Sequence, residues 1–159
     1  MPFTRRFDLL LFRALLVLAI VSPAAAPTAR ADSMPAMHGA RVRRPEPGEF
    51  GLGPRTSVAG RYVATLASDQ PLRPRHMQTV RVMIRDTEGG AVDDAQIAID
   101  GGMPQHGHGL PTRPRVTRSL GDGSYEIDGV RFNMGGWWEF TLVITSPHGS
   151  DTVTFNLDL

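Results

Sequence analysis

Apolar and polar residues alternate through most of the chain after residue 58, and this period of two constrains the fold more than any other feature. Val80, Val82 and Ile84 alternate with Arg81 and Arg85 in a typical run. The longest apolar stripe consists of Trp138, Phe140, Leu142 and Ile144. About seven such segments, separated by Gly, Asp and Pro turn signals, predict an all-β domain over residues 59–159. The expected architecture is an antiparallel β-sandwich of immunoglobulin-like type.

The charge of the chain is unevenly distributed along its length. Residues 1–31 contain four Arg and one Asp, whereas residues 32–159 contain 13 Arg and 15 acidic residues. The formal net charge of +1 therefore combines +3 in the first segment with −2 in the remainder. The basic run at residues 41–48 has few charges and no aromatic residue, and the chain after residue 31 is net acidic, so we do not expect nucleic-acid binding.

The first 31 residues have the pattern of a secretory signal peptide. A positive region, a short apolar run and small residues before the cleavage point follow one another: Arg5, Arg6 and Arg13, then residues 14–21, then Ala29 and Ala31. The apolar run is shorter than the roughly 20 residues that span a bilayer. We therefore expect a periplasmic or secreted protein, and membrane association only if the signal remains uncleaved as an anchor.

Residues 32–58 are rich in Pro, Gly and Arg and show no apolar periodicity. Such a composition is typical of a linker, so we expect a flexible leader before the sandwich.

The chain contains no Cys, and all 17 of its basic residues other than His are Arg. Disulfides, thiol nucleophiles and Cys-ligated metals are therefore excluded, as are Schiff-base and P-loop lysines. The sequence also has no Gly-x-Ser-x-Gly element and no phosphate-binding glycine loop. An enzyme is not expected.

One loop between predicted strands is rich in potential metal ligands. Residues 101–111 contain Met103, His106 and His108 among four glycines, and Met134 precedes the strand that carries Trp138. Imidazole nitrogen together with thioether sulfur suits copper, because a thioether prefers Cu(I) and imidazole accepts either oxidation state. These four side chains form a candidate copper site, with Met134 the weakest member. A solvated His-rich loop without metal is the competing interpretation.

Two further groups of residues have roles that the sequence leaves open. Met34, Met37 and His38 in the leader echo the pattern of the loop, and could close over an ion or belong to an unstructured segment. His76 and Met77, at the entry to a predicted strand, fit either role, whereas His148 in a turn is expected at the surface.

Several of these motifs together resemble the YtkA-like domain, which is related to the FixH family. The resemblance is carried by residues 94–99, Met103-Pro104, residues 123–125 and the closing Phe-x-Met-x-Gly-x-Trp element at 132–138. It covers roughly residues 59–159. It implies an extracytoplasmic immunoglobulin-like sandwich and, by analogy with FixH members, a partner that accepts copper or assembles copper-containing respiratory oxidases. FixH members are membrane-anchored, whereas the N-terminus here has the pattern of a cleavable signal.

A different class of function remains open. The same Met-Pro loop, with an exposed Trp from the pair Trp137-Trp138, could form a metal-free surface that contacts another envelope protein.

Overall fold

The computed structural model describes residues 42–159. The predicted signal peptide and residues 32–41 of the predicted leader lie outside this part of the chain. Within residues 42–159, no helix is both long and apolar enough to cross a membrane.

Nine β-strands and one short 3₁₀ helix, Pro47–Glu49, make up the regular structure of residues 42–159. In chain order the strands are β1 (Arg55–Thr56), β2 (Tyr62–Ala67), β3 (Gln78–Asp86), β4 (Gln96–Met103), β5 (His108–Gly109), β6 (Arg115–Gly121), β7 (Ser124–Val130), β8 (Trp137–Ser146) and β9 (Gly149–Asp158).

The strands form two antiparallel sheets, with orders β1-β2-β3-β7-β6 and β5-β4-β8-β9. The predicted all-β sandwich is confirmed. Seven strands have six or more residues, in line with the predicted number, and the two additional strands, β1 and β5, have two residues each.

The core lies between the sheets and follows the alternation in the sequence. Val80, Val82 and Ile84 of β3 are buried, while Arg81 and Met83 between them are exposed. The largest fully buried side chains come from both sheets and from the connection between β7 and β8: Trp138, Tyr62, Phe140 and Phe155, and Phe132 of the connection. Each such side chain contributes on the order of 2–3 kcal/mol by leaving water.

Residues 50–58 differ from the expected flexible leader because they run along the edges of both sheets. The Gly51 amide donates to the Asn156 carbonyl of β9 over 2.9 Å, and the Leu66 amide of β2 donates to the Leu52 carbonyl over 2.8 Å. The Val58 amide then bonds to β9 again. These are backbone contacts, which leave no apolar period in the sequence, so the pattern of side chains could not reveal them.

The sandwich has two ends. The turn end consists of the connections 57–61, 87–95, 122–123 and 147–148. The loop end consists of the connections 68–77, 104–107, 110–114 and 131–136.

Candidate metal site

The Met-Pro loop is a tight hairpin that extends the edge of the second sheet. Strand β4 continues to Met103, which pairs with His108 at the start of β5. The Met103 carbonyl accepts hydrogen bonds from the backbone amides of His106 (3.0 Å) and Gly107 (2.9 Å). Gly107 has φ +65, a conformation that glycine adopts without strain. The turn therefore fixes the backbone that carries both histidines.

The two imidazoles are exposed and lie beside each other at the tip of this hairpin. Their ring centroids are 6.2 Å apart and the ring planes are within 15° of parallel. Neither His106 nor His108 forms a side-chain hydrogen bond to another residue of the described part. Both rings therefore keep their nitrogens available to an external ligand.

Met103 lies beneath the hairpin in the hydrophobic core. Only 2% of its surface is exposed. Its methyl carbon fills the space beside Gly136, where an added Cβ would lie 3.1 Å from it. The structure thus packs Met103 as a core residue and does not bring its side chain to the surface occupied by the two imidazoles.

Met134 lies on the neighbouring connection of the loop end, which is held at several points. Its carbonyl accepts a hydrogen bond of 3.0 Å from the Trp138 indole nitrogen. Gly136 exchanges two backbone hydrogen bonds with Leu159, and the Phe132 ring packs edge-to-face on Trp138. The Met134 side chain itself is 38% exposed. Its backbone is therefore anchored while its side chain is partly exposed.

The loop end also gathers residues whose role the sequence left open. His76 and Met77 lie on the connection 68–77, and Pro74 of this connection approaches Gly135. His148 lies at the turn end, away from the other histidines of the described part. Met34, Met37 and His38 lie outside the described residues.

Within residues 42–159, no three His, Asp or Glu side chains group in a way that could hold an ion.

The expected exposed tryptophan is not found. Trp137 and Trp138 are 2% and 0% exposed, although they start a strand and point to opposite faces. Trp138 enters the core, and the indole nitrogen of Trp137 donates to the Asn156 side chain on β9 over 3.0 Å. The indole N–H of Trp137 is thus hydrogen-bonded within the fold. Residue spacing alone could not predict this contact.

The strongest carboxylate perturbation lies at the turn end. Hydrogen bonds from the Ser57 hydroxyl and from the backbone amides of Ala59, Thr152 and Arg61 lower the pKa of Asp151 to about 2. The pKa of Asp151 falls because these hydrogen bonds stabilise the ionised carboxylate. This carboxylate closes a turn and lies apart from the candidate metal site.

A model of the YtkA-like family matches residues 56–143, which is more than half of the chain. The chain belongs to the YtkA-like family. The match contains the Met-Pro hairpin, both imidazoles and Met134, so the candidate site lies within the YtkA-like domain. The predicted family is confirmed.

Two further comparisons add little to this assignment. The YtkA-like chain is similar to a solved structure titled ZirS C-terminal domain, at 12% identity and a TM-score of 0.39, covering 89% of this chain and 95% of that one. Curated protein sequences give no match.

Proposed function

We propose that this YtkA-like protein works outside the cytoplasm and binds copper through His106 and His108, to buffer the ion or pass it to a copper-accepting or oxidase-assembly protein of the envelope. The observation that supports this proposal best is the pair of exposed imidazoles, 6.2 Å apart on a hairpin whose backbone is held by two hydrogen bonds.

The spacing of the rings suits one shared ion. Metal–nitrogen bonds to imidazole are about 2.0 Å long, so two of them span about 4 Å, and each ring adds the distance from its nitrogen to its centroid. A centroid separation of 6.2 Å is therefore within reach of one shared ion, but the rings are stacked, and because imidazole lone pairs lie in the ring plane both side chains must rotate before a nitrogen of each can face that ion. Cu(I) accepts low coordination numbers and soft ligands, which favours it here.

The two methionines are not equivalent as sulfur ligands. Met134 is 38% exposed and could turn towards an ion at the loop end, whereas Met103 is 2% exposed and would have to leave the core. Its departure would open a cavity beside Gly136, at a cost of roughly 2–5 kcal/mol for a buried side chain of this size. Met134 is therefore the stronger of the two candidates.

The test is a titration of the purified protein with Cu(I) and, separately, with Cu(II). The double variant His106→Ala/His108→Ala should weaken binding at least about tenfold, which corresponds to about 1.4 kcal/mol. The matched control is His148→Ala, which removes an imidazole at the turn end and should leave the affinity unchanged. Equal affinities of the double variant and the wild-type protein would refute the site.

Acid should release the metal, since an imidazole must be neutral to coordinate. An affinity that stays constant between about pH 7 and about pH 5 would count against His ligation.

The metal-free alternative has lost one of its two elements. It required an exposed tryptophan beside the Met-Pro loop, and both tryptophans are buried. Copper binding is accordingly the function that we put forward.

A further inference from the structure

His76 and Met77 lie on the connection between β2 and β3, outside the hairpin that carries His106 and His108. Both line a surface groove of about 400 Å³ at the loop end. The two residues therefore lie at one groove although they are neighbours in sequence.

The His76 ring is oriented by a hydrogen bond. Its Nδ1 lies 2.9 Å from the Pro74 carbonyl oxygen. Because a carbonyl only accepts, Nδ1 carries the proton, and in the neutral ring Nε2 keeps its lone pair. Metal-ligating histidines are typically held in this way, by a bond from the second ring nitrogen to a carbonyl. Among the histidines of residues 42–159, His76 alone has a side-chain hydrogen bond to the protein.

The backbone around His76 is fixed by its neighbours. Arg75 has φ +66, an unusual value for a non-glycine residue, and its amide donates to the Phe132 carbonyl over 2.7 Å. The Gln78 amide group bonds to both the backbone N–H and the carbonyl of Arg73, over 2.7 and 3.0 Å. A strained residue held in place by surrounding contacts is a feature that clusters at binding sites.

Met77 supplies a soft ligand at the same place. It is 63% exposed, more than any other methionine of the described part. Asp69, the only carboxylate that lines the groove, is paired with Arg81. The other side-chain oxygens of the groove belong to neutral residues, Ser68, Gln70, Gln78 and Thr79. Hard divalent ions bind chiefly through carboxylates, so the groove favours a soft ion bound by nitrogen and sulfur.

We propose that His76 Nε2 and Met77 Sδ form a second site, selective for Cu(I), that binds independently of the His106/His108 pair.

The experiment is anaerobic competition for Cu(I) between the purified protein and a chromophoric chelator, which gives both stoichiometry and affinity. His76→Asn keeps a side-chain N–H that can bond to Pro74 but removes Nε2, and Met77→Leu removes only the sulfur. Each should lose one Cu(I) equivalent or weaken one class of site at least tenfold, in the wild-type background and in His106→Ala/His108→Ala. Met83→Leu, at a partly exposed methionine of β3, should bind as the wild type does.

The two proposals can fail separately. If His76→Asn binds Cu(I) as the wild type does while the hairpin variant loses it, the second site is refuted and the hairpin site stands. If only His76→Asn and Met77→Leu lose Cu(I), the hairpin site is refuted and the second site stands.

Cu K-edge X-ray absorption of the hairpin variant loaded with one Cu(I) supplies a readout that a purely structural role would not change. Copper–sulfur scattering should be present, and Met77→Leu should remove it. A spectrum with nitrogen or oxygen ligands alone would overturn the proposal. Equal thermal midpoints of the variants without metal would show that the losses do not come from unfolding.

Discussion

The two ends of the sandwich use their polar side chains in opposite ways. At the turn end, the carboxylates of Asp151, Asp86 and Asp93 accept hydrogen bonds from backbone amides of the turns. At the loop end, the imidazoles of His106 and His108 and the thioether of Met77 are exposed. The carboxylates of the turn end therefore close its turns. At the loop end, His76 and Gln78 bond to the backbone while other ligand-type side chains are exposed, so substitutions at the two ends should have different consequences.

The largest effect on stability is expected from Gly123→Ala at the turn end. An added Cβ would lie 2.3 Å from the Ile84 carbonyl oxygen, and Gly123 has φ +68. Neither the backbone atom nor the backbone conformation can relax cheaply, so the free energy of unfolding should fall by more than about 3 kcal/mol. Urea denaturation measures the loss.

Gly121→Ala is the matched control at the same turn. It shares a positive φ of +78, but an added Cβ would meet no atom within 4 Å. Backbone strain alone should lower the free energy of unfolding of this variant by about 1–2 kcal/mol. Losses of the same size in both variants would show that the clash with Ile84 does not matter.

A smaller, pH-dependent effect is expected from Asp151→Asn. The folded state lowers the pKa of Asp151 from 3.8 to about 2, so the carboxylate stabilises the fold above about pH 4, and this contribution disappears as the pH falls towards 2. The variant should be less stable at neutral pH and should show a shallower loss of stability across that interval. Thermal midpoints recorded at several pH values measure both the lower stability at neutral pH and its shallower loss in acid.

Asp158→Asn serves as the comparison for Asp151→Asn, since Asp158 is an exposed carboxylate paired with Arg44. It should keep the wild-type acid profile. If Asp151→Asn also keeps it, the turn end does not depend on this carboxylate.

A loss of stability smaller than that of Gly123→Ala is expected at the loop end, from Gly135→Ala. Its Cβ would lie 2.7 Å from the Leu159 carbonyl oxygen, and its φ is not positive. The contact is with a backbone atom, so the connection 131–136 or Leu159 must shift, which should cost about 1–3 kcal/mol and should also move Met134. Cu(I) affinity should therefore change together with stability, whereas Gly53→Ala, which has open space, should change neither. Unchanged Cu(I) binding in Gly135→Ala would exclude Met134 from the site.

The sequence predicted the features that depend on side-chain alternation. The long stripe of β8 and the strands β2 and β3 are recognisable because one face of each is buried. Strands β1 and β5 are too short to show a period, and their pairing depends on backbone groups. The same alternation could have predicted that Met103 is buried, because it lies on the inner face of β4 together with Ile97 and Ile99.

The candidate site was predictable only in part. A spacing of two residues placed His106 and His108 on one hairpin tip, since glycine-rich turns bring such residues together. The orientation of His76 depends on a turn with a left-handed Arg75, and no residue type at that position signals it. Functional interpretation of the loop end therefore required the folded backbone.

Residues 50–58 also have a kinetic consequence. Phe50 and Asn156, which form a bridge at the edge of the second sheet, lie about a hundred positions apart in the chain. Contacts with such separation form late, because the loop between them must first be ordered. This segment bonds to both β2 and β9, so it can dock only once both sheets exist. Substitutions in it should therefore accelerate unfolding and leave the folding rate nearly unchanged.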